Sequence, residues 1–188
     1  MKKIISISMV CITILTSFSF MVVSGEKTSS NTVTVNYSFE RPIIEYGDID
    51  NQVYDRVIMQ DFSACGNPGE PCLPARSAYI LIPYGAKVNR ISGIPGKIEY
   101  LGAGVNIAPV GVSVSSFNIN LSHNLVANEV IYSSSDPFPG KLFTKIGTYS
   151  FRGYDILVLK LHPVQYVPIT GELFYYTDME ISIGHPIN

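Results

Sequence analysis

The stretch that most constrains the fold runs from Phe151 to Ile183. It combines an apolar run (Ile156 to Leu161), a proline-punctuated extension (Pro163 to Pro168), a Thr170-Gly171 turn and a closing run (Leu173 to Ile183). Both runs are rich in β-branched and aromatic residues, which fit the pleated surface of a sheet. The stretch therefore predicts two successive extended runs that close the core of a β-sheet protein.

The preceding sequence also consists of short extended runs, with no sustained 3.6-residue apolar period and no internal repeat. From Asn31 to Phe39, apolar and polar side chains alternate, which predicts a half-buried strand. Runs separated by about 8 to 15 residues indicate an all-β chain, folded as a single antiparallel β-sandwich-like domain. Further extended runs are predicted at Ile43 to Ile44, Val53 to Met59, Ala78 to Ile82, Lys87 to Ile94, Lys97 to Leu101, Val105 to Pro109 and Lys141 to Ser150.

The N-terminus has the pattern of a secretory signal peptide. Lys2 and Lys3 precede an apolar run from Ile4 to Val23, and small residues follow at Ser24 and Gly25. We expect cleavage after residues 1–25, which leaves a domain over 26–188 that is secreted or at the cell surface and has no membrane span. The alternative is an uncleaved anchor, because a run of about 20 apolar residues can cross a bilayer.

Charge argues against nucleic acid as a partner. Removing Lys2 and Lys3 from the 13 basic residues leaves 11 against 15 acidic ones, and 11 − 15 gives a net charge of −4. No basic stripe is present to neutralise phosphates.

Cys65 and Cys72 flank six residues that include the turn formers Pro68 and Gly69. In a secreted chain two such cysteines are expected to form a disulfide. Catalysis by either thiol would need a partner base, and the three histidines, His123, His162 and His185, lie outside any recognisable motif. The cysteines and histidines also lack zinc-ligand spacing. We therefore predict no catalytic residue.

Asp48, Asp50 and Asn51 raise the alternative of a calcium loop. An EF-hand loop needs glycine at its sixth position, where this register has Val53. We interpret the cluster as solvated turn residues and predict no metal and no cofactor.

Two segments read as loops. Gly111 to Asn128 is a serine- and asparagine-rich connection with at most one strand, at Val112 to Ile119. So long a connection in a compact domain is either functional or contains strands that its sequence pattern does not reveal. Ser133 to Gly140 is the clearer loop. Asn36 and Asn120 stand in glycosylation sequons, whose use the sequence does not decide.

With these motifs in order, the chain resembles the N-terminal propeptide domain of gingipain-type cysteine peptidases. The resemblance covers nearly the whole mature chain, although the two cysteines are not part of the family pattern. It rests on Gly66-x-Pro68-Gly69-x-Pro71-x-Leu73-Pro74, Ile82-Pro83-x-Gly85-Ala86, Arg152-Gly153-Tyr154, His162-Pro163-Val164-Gln165-Tyr166-x-Pro168 and Thr170-Gly171-Glu172-Leu173.

The resemblance implies a non-catalytic β-sandwich-like prodomain that assists folding of a caspase-like cysteine peptidase domain and inhibits it. That partner would belong to the same precursor, beyond Asn188, or to a neighbouring gene. In members that cut after basic residues, the family implies a basic side chain in the specificity pocket. Lys141, Lys145 and Arg152 are the candidates for this inhibitory contact, whereas Arg76 and Arg90 are also available.

The alternative is a secreted β-sandwich module for binding or adhesion at the cell surface. Tyr166, Tyr175 and Tyr176 distinguish the two hypotheses, because exposure would favour a binding face and burial would place them in the core. We expect burial. An independent enzyme is disfavoured, since neither paired carboxylates nor a nucleophile with a base can be placed.

Overall fold

A computed structural model describes residues 30–49, 52–111 and 125–186. Within these ranges nearly all of the regular secondary structure is antiparallel β-strand, which confirms the predicted all-β fold class. No helix in the described part is long and apolar enough to cross a membrane. The elements are β1 (Ser30–Ser38), β2 (Ile43–Ile49), β3 (Gln52–Ile58), β4 (Ser63–Cys65), β5 (Leu73–Ile82), β6 (Arg90–Pro95), β7 (Ile98–Gly102), α1 (Glu129–Tyr132), β8 (Phe143–Phe151), β9 (Tyr154–Leu161), β10 (Val164–Val167), β11 (Glu172–Tyr176) and β12 (Asp178–Pro186).

The described strands form three larger sheets and one ribbon. One sheet has the order β4-β5-β9-β8, a second β1-β12-β6 and a third β10-β11-β7, while β2 and β3 pair with each other. The first and last strands of the described chain pair along their whole length, from Ser30 opposite Pro186 to Ser38 opposite Asp178. The pairing therefore joins the two ends of the described chain in one sheet.

Alternation along β1 matches the prediction from the sequence. Val33, Val35 and Tyr37 are half-buried against the core, and the polar residues between them are exposed. β12 follows the same period, with Met179, Ile181 and Ile183 buried opposite β1. The second sheet therefore has one apolar face and one polar face, as an antiparallel layer packed on a core requires.

The core lies between this second sheet and the four-stranded sheet. The four-stranded sheet contributes alternate residues of β5 and β9, among them Ile80, Leu157 and Leu159. Contact between the layers is close at Gly93 of β6, where a Cβ atom would lie 3.1 Å from side-chain atoms of both Leu142 and Phe143. Two facing sheets that share one buried cluster form the predicted sandwich-like arrangement.

The Phe151 to Ile183 stretch is more divided than its sequence predicts. It forms four strands in three different sheets, and the closing run from Leu173 to Ile183 is broken at Thr177 between β11 and β12. There the Thr177 N–H donates to Lys97 O at 2.9 Å, and Thr177 O accepts from the Phe39 N–H at 2.8 Å. These hydrogen bonds hold Thr177 at the point where the chain leaves the third sheet and enters the second. Threonine favours strands, so the sequence gives no sign of a turn here.

Other boundaries also differ from prediction. β6 begins at Arg90 rather than Lys87, and β2 extends to Ile49, so that it includes Asp48, which was predicted to be a turn residue. The helix α1 was not predicted, because four residues are too few for a helical period; Asn128 caps it by accepting from the Val130 and Ile131 N–H groups. Predictions for residues 1–25, Asp50, Asn51, Val112 to Ile119, Asn120 and His123 fall outside the described residues.

Candidate interaction site

The β8–β9 hairpin ends in a two-residue turn at Arg152 and Gly153. Both residues have positive φ, 50° and 83°, and Phe151 pairs with Tyr154 on either side. Positive φ at both central positions is the geometry of a type I′ turn, whose twist matches that of the strands. The Arg152 guanidinium stacks over the Phe151 ring, 5.2 Å from its centroid. The family's Arg-Gly-Tyr motif thus forms a tight hairpin tip with an exposed basic side chain.

Lys141 lies at the opposite end of the hairpin, in the loop before β8. This loop is held by Gln165, whose side chain is buried in β10. Gln165 Oε1 accepts from the Gly140 N–H at 2.9 Å, and Nε2 donates to Lys141 O at 3.2 Å and to His162 O at 3.1 Å. A buried amide that satisfies three backbone groups fixes the loop against the third sheet. The position of Lys141 is therefore set by Gln165.

The neighbouring Tyr166 holds two other segments. Its hydroxyl donates to Val105 O at 2.9 Å, and its backbone exchanges hydrogen bonds with Phe138 at 2.7 and 2.9 Å. Pro163, Val164 and Gln165 are also buried. The Pro-Val-Gln-Tyr part of the family pattern is thus an internal anchor for the loops around it and contributes no exposed contact.

A cavity of ≈ 300 Å³ beside this anchor is lined by Lys141, Lys160, His162, Thr144 and Glu70, among others. Burial, together with the Lys141 and Lys160 charges, lowers the pKa of His162 from 6.5 to about 4. Its Nε2 is hydrogen-bonded to Thr144 Oγ1 at 3.0 Å. The ring is consequently neutral at pH 7. Burial and the two lysine charges account for its lowered pKa, so no catalytic partner is needed to explain it.

Lys145 lies in β8 at a bulge, where the register with β9 shifts between Lys145 and Gly147. It is exposed and borders a shallow groove that also includes Lys87 and Asp155. Of the other two basic residues considered, Arg76 is packed against the rings of Phe39 and Phe62, 5.7 and 5.0 Å from their centroids. Arg76 is therefore held by contacts with these core aromatic rings and is not presented for an inhibitory contact.

The structure does not bring Lys141, Lys145 and Arg152 together. Lys141 and Arg152 flank the two ends of β8, a strand of nine residues. At about 3.3 Å per residue, those ends are roughly 27 Å apart. Since one specificity pocket accepts one side chain, the three residues are alternatives rather than a joint site.

The pairing of β4 with β5 places the two cysteines on neighbouring segments of the chain. Cys65 pairs with Leu73 across β4 and β5, which brings its backbone next to that of Cys72. Cys72 is half-buried, and the side chain of Cys65 is outside the description. The Cys65–Cys72 disulfide stays a prediction.

The tyrosines that distinguish the two functional hypotheses belong to the core or its margin. Tyr166 and Tyr175 are buried and Tyr176 is half-buried. The Tyr175 hydroxyl donates to Glu99 Oε2 at 3.1 Å. These three residues form no exposed binding face, as the sequence predicted. Among the described residues, no group of three or more His, Cys, Asp or Glu side chains is arranged to hold a metal ion.

Comparison with known families decides the identity of this β-domain. The family model Propeptide_C25 matches residues 18–187. The chain belongs to the Propeptide_C25 family. It is a prodomain of a C25 peptidase and is not itself catalytic, and the resemblance to gingipain-type propeptides is confirmed.

Two solved structures from Porphyromonas gingivalis share the fold. A structure titled as the complex of the RgpB pro- and mature domains matches with a TM-score of 0.67 and 18% identity, covering 88% of this chain and 85% of that one. A structure describing the zymogenic latency of gingipain K matches with a TM-score of 0.69 and 18% identity, covering 88% of this chain and 97% of that one. A comparison with curated proteins gives no significant match.

Proposed function

We propose that this prodomain assists the folding of a gingipain-type cysteine peptidase with a caspase-like catalytic domain and inhibits it until the prodomain is removed. The observation that carries the proposal is the family match over residues 18–187. The solved relatives add support, because one is described as a complex of pro- and mature domains and the other by its zymogenic latency. We also propose that the chain acts after secretion, which the composition of residues 1–25 supports.

Arg152 is the basic residue that best fits an inhibitory contact. A side chain that enters a specificity pocket has to project from the body of the inhibitor on a backbone that is already ordered, since ordering on binding costs affinity. Arg152 lies at the tip of a two-residue turn closed by paired strands. Lys141 borders a cavity, and Lys145 lies along the edge of a sheet. We therefore place Arg152 ahead of Lys141 and Lys145.

The substitution Arg152→Asn separates inhibition from folding. Asn-Gly is a preferred pair for a type I′ turn, so the hairpin should keep its stability or gain a few tenths of a kcal/mol. The purified domain would be titrated against the C25 peptidase of the same source organism, expressed without its propeptide. We expect the inhibition constant to rise at least 30-fold, which corresponds to about 2 kcal/mol for loss of a central contact.

Lys141→Gln and Lys145→Gln are the matched controls, and both should inhibit within threefold of the wild type. Selective loss of inhibition in either lysine variant would move the contact to that residue. Equal inhibition by all variants would mean that none of the three basic residues enters the pocket. Folding assistance is tested separately, by the yield of active peptidase on dilution from denaturant with and without the domain; equal yields would contradict this part of the proposal.

A further inference from the structure

The outer face of the four-stranded sheet is apolar although nothing described covers it. Along β5 and β9, alternate residues such as Ile80 and Leu157 are buried in the core. The residues between them point to the other side, and there Tyr79 and Leu81 are exposed. A solvated sheet face normally carries polar side chains. This face departs from that rule along all three of its long strands.

The strand register makes these side chains neighbours. Leu81 of β5 lies opposite Ile156 of β9, which lies opposite Tyr149 of β8. The adjacent row contains Tyr79, Val158 and Gly147, and the Tyr149 ring lies over Gly147, whose Cβ position would be 3.0 Å from the Tyr149 hydroxyl. Phe151 and Tyr154 form the next pair towards the hairpin tip. These side chains form one continuous surface, which Tyr84 extends and which we call the aromatic face. Its members are Tyr79, Leu81, Tyr84, Tyr149, Phe151, Tyr154, Ile156 and Val158.

Tyr84 joins the face through the turn after β5. It lines a groove together with Leu81 and Tyr154. The turn is tied to the hairpin by Asp155, whose carboxylate accepts from the Gly85 N–H at 3.1 Å and from the Ser150 hydroxyl. These hydrogen bonds lower the pKa of Asp155, so the carboxylate is charged at neutral pH. The aromatic face is therefore held in place before any partner binds.

The exposed area is at the upper end of what a monomer usually leaves uncovered. Tyr79, Tyr84, Tyr149, Phe151 and Tyr154 are 71%, 85%, 55%, 61% and 58% exposed. At about 200 Å² for an aromatic side chain, these fractions amount to roughly 650 Å². The largest apolar patch on a typical monomer is about 300–600 Å². A stable interface buries about 800 Å² on each partner, which the aliphatic residues of the face would bring within reach.

The charges around the face indicate what kind of partner fits. Lys160 lies at one end and Arg152 at the other, and none of the outward-facing positions in the described parts of β5, β8 and β9 is acidic. A second copy of the chain, placed across a two-fold axis, would bring these basic residues against each other. A partner with an apolar patch and an acidic rim is complementary instead. The composition, aromatic and poor in acidic residues, is that of an interface core.

From these observations we propose that the aromatic face is the surface on which the catalytic domain of the cysteine peptidase docks. The inference rests on the proposed function and deepens it, because Arg152 lies at the tip of the hairpin that carries Tyr149, Phe151 and Tyr154 of the face. Docking along β5, β9 and β8 would present the hairpin tip at the margin of the interface. The face then supplies affinity, and Arg152 supplies the contact with the pocket.

The test compares exposed aromatic residues on and off the face. Tyr79→Thr and Phe151→Thr keep a residue that favours strands, and each should weaken binding of the purified domain to the peptidase at least tenfold. Tyr46→Thr on β2 and Tyr100→Thr on β7 remove tyrosines that are 82% and 58% exposed elsewhere, and both should bind within twofold of the wild type. Circular dichroism and thermal melting establish that each variant is folded.

Tyrosine iodination of the wild-type chain tests the same proposal without any substitution. Tyr79, Tyr84, Tyr149 and Tyr154 should lose reactivity when the peptidase is bound, and the control tyrosines should stay reactive. If the wild type binds and inhibits but the face stays reactive and its variants bind normally, the docking surface is wrong and the proposed function stands. If the wild type does not bind at all, both fail. Protection of the face in the domain alone, with a dimer in sedimentation, would identify a second copy as the occupant and overturn the proposal.

Discussion

Replacing Gln165 with methionine should destabilise the domain substantially. The change keeps a side chain of similar length but removes the hydrogen bonds to Gly140 N–H, Lys141 O and His162 O. Each such bond contributes about 0.5–1.5 kcal/mol, so the free energy of unfolding should fall by about 3 kcal/mol. For a domain of this size, that loss corresponds to roughly 6–12 °C in melting temperature.

Urea denaturation of the wild type and the Gln165→Met variant measures this loss. Gln52→Met is the matched control, because Gln52 is exposed and its substitution should stay within about 0.5 kcal/mol of the wild type. Limited trypsin digestion adds a local readout, since release of the loop before β8 should accelerate cleavage after Lys141. Equal stability and an unchanged digestion pattern would refute the role of Gln165 as the anchor of that loop.

Two further predictions concern His162 and the cysteines. The pKa of His162 is lowered in the folded domain, so the unfolded chain binds the extra proton; stability is full above pH 6.5 and should fall between pH 6.5 and about 4. Because the ring is partly exposed to solvent, the free energy of unfolding should fall by only about 1–2 kcal/mol over this pH range. The variant His162→Gln should show a weaker dependence of stability on pH between 6.5 and about 4. An unchanged pH dependence in the variant would contradict the lowered pKa of His162. If Cys65 and Cys72 form a disulfide, titration of the denatured mature domain should find no thiol, and Cys72→Ser should cost roughly 2.5 kcal/mol under oxidising conditions and much less under reducing ones. Two titratable thiols in the oxidised wild type would exclude the bond.

Local pattern predicted the strands but not their distribution among sheets. The alternation around Val35 and the apolar run at Leu157 each identify a strand, because burial on one or both faces leaves a trace in the sequence. The break at Thr177 leaves no such trace, since bonds to Lys97 and Phe39 cause it. Sequence reasoning about strands is therefore strongest where the period is local and weakest where distant partners redirect the chain.

In the candidate site, too, the sequence indicated the features that have a local pattern and missed those that depend on distant contacts. Gln165 gave no signal as an anchor, because every residue of β10 is buried and the strand has no polar face to mark it. The runs at Ala78 to Ile82 and Ile156 to Leu161 are apolar in the sequence, and the structure leaves Tyr79 and Leu81 of the first run exposed. An apolar run cannot show whether its second face is covered by the same chain or by a partner. Arg152 was recognisable from the Arg-Gly-Tyr motif, but its exposure at the hairpin tip required the structure.

The most direct test of the central claim is an inhibition titration. Increasing amounts of the purified mature domain would be added to the C25 peptidase of the same source, and residual activity on a peptide substrate would be followed. The account predicts saturable inhibition at one domain per peptidase, weakened at least 30-fold by Arg152→Asn. Full peptidase activity in the presence of a large molar excess of folded domain would contradict it.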